Sequence, residues 1–245
     1  MINTILFDLD GTLLPYKWED FEKEYFKKVV YKLKDILKPE ETIKYLWEST
    51  MEMIINTDCQ KTNKEVFMDK FTKLSQKDKD NLQNIFDDFY ENEYKTLSAI
   101  FTPSEYVTDS IKILKEKGYT LVVATNPVFP ESALLQRVNW AGLDDKDFIL
   151  ITSFERMHFC KPNIKYYEEI LKIIDKNPHE CMMIGNDVEE DIVAGKLGIK
   201  TFLVTDYMIN KNNIKTDADY IGDYKDLNSF IRNLPIINND NAAAK

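Results

Sequence analysis

Glycine is missing from a long stretch of this chain. All seven glycines fall at positions 11, 118, 142, 185, 195, 198 and 222, and none lies between 12 and 117. A span of that length without the commonest turn residue suits helices. Histidine is limited to His158 and His179, which excludes a histidine-rich zinc site. Cys59, Cys160 and Cys181 are widely separated, odd in number and form no CxxC pair. They read as free thiols in a reducing cytoplasm rather than a metal clamp or disulfide framework. No apolar run approaches membrane-span length. The start, MINTILFDLDGTLL, has no basic leader, and Asp8 and Asp10 interrupt its apolar run, so it does not read as a secretory signal. Positive charge is also short. A net charge of -10 argues against a broad nucleic-acid surface. A small anion remains possible, because a few local donors and a metal ion can hold one.

What is present is an ordinary globular composition: 245 residues, 44% apolar and 30% charged. Nearly continuous apolar runs of strand length occur at Thr4–Phe7, Leu121–Ala124, Phe148–Ile151, Met182–Ile184 and Thr201–Val204. Continuous rather than alternating runs are expected of strands covered on both faces. Helical patterns alternate with them at Ser104–Lys117, Pro130–Trp140, Asn163–Ile174 and Val188–Leu197. The succession predicts an α/β domain, a parallel sheet with helices on both faces. The Asn- and Ala-rich tail, Pro235–Lys245, is expected to fray.

The glycine-free stretch has a different pattern. Trp18, Phe21, Tyr25, Val29, Leu33 and Ile36 recur at helical steps, as do three further sets centred on Leu46, Phe71 and Phe86. Residues 15–102 therefore read as a helical insert that splits the α/β domain into 1–14 and 103–245.

The chemistry-bearing residues sit at predicted strand ends. Asp8 and Asp10 close the first strand, before Gly11. Two carboxylates at i and i+2 on an extended end point the same way, which suits metal coordination or divided nucleophile and acid roles. The second strand runs into Thr125-Asn126, a hydroxyl and an amide able to hold phosphoryl oxygens. Lys161 follows the third strand, and Gly185-Asn186-Asp187, with Asp191 beyond, follows the fourth. Taken singly, each has an ordinary explanation: a polar turn, a solvated lysine, an acidic helix start. Four such coincidences at four strand ends of one sheet are improbable, and ligands bind beyond the carboxyl ends of such strands.

In this order and spacing, Asp8-Leu9-Asp10-Gly11-Thr12-Leu13, Thr125, Lys161-Pro162 and Gly185-Asn186-Asp187 through Asp191 resemble the haloacid dehalogenase (HAD) superfamily of hydrolases over nearly the whole chain. The resemblance implies a Rossmann-like core and makes the insert a helical cap. It implies that Asp8 attacks phosphorus and that Asp10 protonates the leaving oxygen and later activates water. Thr125 and Asn126 would hold phosphoryl oxygens, and Lys161 would hold Asp8 and the transferred group. Mg²⁺ would sit on Asp8, the Asp10 carbonyl and an acidic partner.

The fourth motif departs from the family's usual Gly-Asp. With Asp187 as the metal ligand, Asp191 supports Lys161; with Asn186 in that place, an amide oxygen coordinates instead. A charged oxygen suits Mg²⁺ better, which favours Asp187. Phe21 and Tyr25 read as the core stripe of the first cap helix, while Pro15 and Tyr16 read as a hinge at the cleft entrance. The expected activity is Mg²⁺-dependent hydrolysis of a small phosphate monoester, a phosphorylated metabolite, with neither nucleic acid nor membrane as partner. Phosphomutase chemistry uses the same aspartates. Dehalogenation needs no acid such as Asp10, and a binding protein would need none of these residues. The sequence sets neither the oligomeric state nor the particular metabolite.

Overall fold

In the computed structural model, which describes residues 1–237, the first strand β1 (Thr4–Phe7) is wholly buried. It lies between β2 (Thr120–Val123) and β4 (Cys181–Gly185), parallel to both. Alternate side chains feed opposite layers: Ile5 and Phe7 join one apolar cluster and Leu6 the other. This is why the run TILF is apolar throughout rather than at every second position.

The sheet has six parallel strands in the order β3-β2-β1-β4-β5-β6, with β3 at Leu150–Ile151, β5 at Lys200–Val204 and β6 at Tyr220–Gly222. The chain builds outward from β1 to β3, then returns to the other side of β1 for β4. That reversal leaves a crevice beyond the carboxyl ends of β1 and β4. Four of the five expected strands shift at their ends, only β1 keeping its bounds, and β6 is not among those expected. Its three residues, Tyr-Ile-Gly, are too few to carry a pattern, and two of them are exposed at the sheet edge.

Helices α5 (Glu105–Glu116), α6 (Glu131–Trp140), α7 (Ile164–Ile173) and α8 (Tyr224–Asn233) cover the sheet. The expected helix Val188–Leu197 is instead a turn followed by a 3₁₀ segment, Ile192–Leu197. Asp187 Oδ1 accepts from the amides of Glu189 and Glu190, fixing that turn before any α-helix begins.

Between β1 and α5 the structure is helical, as the glycine-free pattern predicts: α1 (Trp18–Leu33), α2 (Pro39–Ile54), α3 (Asn63–Ser75), α4 (Lys79–Glu91) and a 3₁₀ segment Tyr94–Ile100. Thr62 caps α3, accepting from the Glu65 amide while the Glu65 carboxylate accepts from the Thr62 amide. Phe21, Tyr25, Val29 and Leu33 form the buried stripe of α1, but Trp18 and, on α2, Trp47 remain 39% and 43% exposed. Of the tail expected to fray, the Ile237 amide is bonded to the Lys117 carbonyl, and the Pro235 carbonyl accepts from the Tyr119 hydroxyl. Residues 238–245 lie outside the described part. Among the described residues no helix is long and apolar enough to cross a membrane.

Candidate active site

The Asp8 amide bonds to the Ile184 carbonyl, carrying the β1–β4 ladder one residue past the strand. The chain then folds back on itself: Gly11 takes a left-handed φ of +81° and its amide reaches the Leu14 carbonyl. The Tyr224 hydroxyl from α8 secures the Gly11 carbonyl. This tight return fixes both carboxylates at the crevice.

Lys161 is 1% exposed and is the hub of the site. Its Nζ donates to Asp8 Oδ1 at 2.9 Å and to Asp191 Oδ1 at 2.6 Å. Asp191 in turn accepts the Asp187 amide on its other oxygen at 2.9 Å. Burial drives the Asp8 pKa well above the ordinary carboxylate range; Lys161 opposes this, and Asp191 and Asp10 add to it. Burial also works against the charge on Lys161, but Asp191 and Asp8 outweigh it and hold the ammonium firmly protonated.

At the end of β2, the Thr125 carbonyl accepts from the hydroxyls of Thr152 and Tyr166, both at 2.7 Å. Its own hydroxyl makes no hydrogen bond to the described protein atoms. Asn126 Nδ2 donates to Glu190 Oε2 at 3.0 Å, while its buried Oδ1 has no partner. Burial raises the Glu190 pKa to about 7, against the opposing charge of Lys161.

The two fourth-motif residues are both engaged. Asn186 Nδ2 donates to the Tyr207 carbonyl at 2.6 Å, which fixes the amide's orientation, and its Oδ1 accepts from the Thr12 hydroxyl at 3.1 Å. Asp187 spends Oδ1 on two backbone amides, leaving Oδ2 without a hydrogen bond. Among the described residues no three His, Cys, Asp or Glu side chains are gathered to hold a metal. The carboxylate oxygens left without a hydrogen bond by Asp8 and Asp187, with backbone carbonyls beside them, are hard donors. Such oxygens fit Mg²⁺, which keeps several waters and takes one or two carboxylates, and do not fit a soft metal.

Thus Asp8, Lys161 and Asp191 are directly bonded, and Asn126, Glu190 and Asp187 form a second chain beside them. Asp10 is held differently. Arg137 on α6, fully buried, donates from Nη1 to Asp10 Oδ2 at 2.6 Å and from Nε to the Tyr94 hydroxyl at 2.7 Å. Neither Arg137 nor Glu190 was singled out from the sequence. For Arg137 a signal existed: it shares the buried face of α6 with Ala133, Leu134 and Val138, where an unpaired charge would be costly.

A family model for haloacid dehalogenase-like hydrolases matches residues 2–209 of this chain. A curated relative, the pyrophosphatase PpaX of Halalkalibacterium halodurans, is 23% identical over 222 residues, covering 90% of this chain and 92% of its own. The HAD phosphatase of Thermococcus onnurineus superposes with a TM-score of 0.60 at 18% identity, covering 96% of this chain and all of that one. The magnesium-bound HAD-hydrolase YfnB of Bacillus subtilis does so with a TM-score of 0.55 at 21% identity, covering 95% and 99%. L-2-haloacid dehalogenases share the same fold, with TM-scores of 0.58.

Proposed function

This chain belongs to the haloacid dehalogenase-like hydrolases, and on that premise we propose that it is a Mg²⁺-dependent phosphatase acting on small phosphate monoesters through an aspartyl-phosphate on Asp8. The observation that carries the proposal is the buried Lys161, bonded to Asp8 at 2.9 Å and Asp191 at 2.6 Å, with a second carboxylate, Asp10, two residues beyond the nucleophile. Lys161 aims Asp8 and opposes the effect of burial on its charge. Thr125 offers a free hydroxyl to a phosphoryl oxygen, and Asn126 lies beside it. Asp10 carries the proton to the leaving oxygen and later takes one from water. The carboxylate of Asp8, the carbonyl of Asp10 and the free Oδ2 of Asp187 are the proposed oxygens for Mg²⁺, with Asn186 the alternative and Asp191 supporting through Lys161. When bound, the ion offsets the repulsion between a carboxylate nucleophile and a phosphate dianion.

The dehalogenase fold neighbours share the architecture, but a haloacid needs no proton carrier, and Asp10 is held in place by a dedicated arginine. We read residues 15–102 as a cap over the crevice, and 1–14 with 103–245 as the catalytic domain. Next to Phe129 a cleft between the two is walled by Trp18, Phe21, Tyr25, Trp47, Phe129 and Phe154, with no Lys or Arg in its lining. The charged residues of the lining are Glu22 and Asp87, so a second phosphate there would meet like charge. Because Arg137, the partner of Asp10, packs on Phe21 and Phe129 of that lining, we take the cleft as the leaving-group side, which favours a monoester with a weakly polar leaving group over pyrophosphate, the substrate that the curated relative's name states. Buried unpaired Cys160 and Cys181 support a reducing, cytoplasmic setting.

The test is turnover of p-nitrophenyl phosphate and of pyrophosphate with Mg²⁺ and with EDTA. The proposal expects Mg²⁺-dependent release from the ester, faster than from pyrophosphate, and none from Asp8→Asn. Equal rates for wild type and Asp8→Asn would refute it.

A further inference from the structure

Arg137 is one of the largest fully buried side chains in the protein, and it is charged. Its guanidinium lies over the faces of Phe21 on α1 and Phe129 after β2, with centroid distances of 4.3 Å and 4.2 Å. Burying such a cation costs several kcal/mol unless it is well paired. Pairing comes from Asp10 on one edge and the Tyr94 hydroxyl on another. Opposing burial, Asp10 and then Tyr94 raise its pKa, so it is a fixed positive charge.

Three buried polar atoms around this pair lack partners: Arg137 Nη2, Asp10 Oδ1 and the Tyr16 hydroxyl. The Tyr16 ring packs edge-on against Phe21, 5.9 Å between centroids, the same ring that the guanidinium covers, and burial and then the Asp10 carboxylate raise its pKa. Asp10 therefore has one oxygen fixed by Arg137 and a second that makes no hydrogen bond. A carboxylate that must meet a leaving oxygen needs this arrangement, since misplacing an acid by about 1 Å costs on the order of 100-fold in rate.

We infer that Arg137 is a positioning residue for Asp10, holding Oδ2 so that Oδ1 faces the leaving group, and tying that orientation to the helical insert through Tyr94 and Phe21. The inference rests on the reading of Asp10 as proton carrier. Arg137 touches neither the phosphoryl group nor Asp8 in this scheme. Its effect passes entirely through Asp10.

The experiment measures kcat/KM for aryl and alkyl phosphates spanning poor to good leaving groups, in wild type, Arg137→Met, Arg137→Lys, Tyr94→Phe and Asp10→Asn. General acid help is worth about 100- to 10,000-fold for poor leaving groups and little for good ones. Arg137→Met should lose about 100-fold on an alkyl phosphate and less than about 5-fold on p-nitrophenyl phosphate, following the pattern of Asp10→Asn. Arg137→Lys should recover part of the loss, and Tyr94→Phe should show a weaker version of it. Adding Arg137→Met to Asp10→Asn should cost nothing further. A uniform loss across leaving groups, or losses that multiply in the double variant, overturns the inference. If Arg137→Met does not fold, Arg137→Lys and Tyr94→Phe decide it: leaving-group dependence identical to wild type in both overturns it. A fully active Asp8→Asn, or an Asp10→Asn that keeps wild-type leaving-group dependence, would overturn the phosphatase reading instead.

Discussion

Lys161 Nζ and Asp8 Oδ1 lie 2.9 Å apart although 153 residues separate them in sequence. The pair opposes the burial that raises the Asp8 pKa well above the carboxylate range, and Asp191 shares the same ammonium. Removing that charge leaves two buried carboxylates facing each other. Arg or Lys deletion from a buried pair costs about 3–5 kcal/mol. Lys161→Met should therefore lower the urea midpoint sharply and reduce kcat on p-nitrophenyl phosphate by at least about 100-fold. A stable, half-active variant would contradict the role given to Lys161.

Gly185 makes the same network sensitive to a single methyl. A Cβ at this position would overlap the Asp191 carboxylate. Gly185→Ala should push Asp191 off Lys161, destabilise the fold by about 1–3 kcal/mol and depress activity. Thermal melting and steady-state kinetics check both. A neutral effect would mean that Asp191 has room to move without loss.

Glu190 predicts a pH dependence of stability. Its folded pKa is about 7, raised by burial above an ordinary value of 4.5. Below that ordinary value it is neutral in both states and costs nothing. Between the two values the unfolded chain ionises while the folded one keeps its proton, so folding loses free energy as pH rises. Glu190→Gln should thus be more stable than wild type at pH 8, by about 1–2 kcal/mol, and level with it near pH 4.5. Urea unfolding with EDTA present measures this, and a pH-independent difference would contradict it.

The thiols should divide cleanly. Cys59 is exposed, while Cys160 and Cys181 are buried. Burial pushes the Cys181 thiol up to about 12 and Cys160 higher still. A thiol-reactive disulfide should modify one cysteine quickly in the native protein and all three in denaturant. Fast native modification of two or more would contradict the burial.

Much of this was readable from the chain. Apolar runs of strand length and the glycine-free helical periodicity placed the sheet and the helices between β1 and α5. The pairing of Asp8 with Lys161 followed once both were assigned to carboxyl ends of strands in one sheet. Arg137 and Glu190 escaped because their meaning depends on distant partners: Asp10 lies 127 residues from Arg137 and Asn126 lies 64 from Glu190. Local pattern shows a charge on a buried face but not which partner pays for it. β6 escaped because three residues carry no periodicity. Asn186 against Asp187 also turns on side-chain orientation, which Tyr207 and the Glu189 and Glu190 amides decide.

The central claim is that Asp8 becomes phosphorylated. The most direct measurement is acid quenching of the enzyme during turnover with Mg²⁺, followed by mass spectrometry of the N-terminal peptide. The account predicts the mass of one phosphoryl group on Asp8, absent in Asp8→Asn and lost on alkaline treatment. Turnover with no modified Asp8, or with the label on another residue, would contradict it.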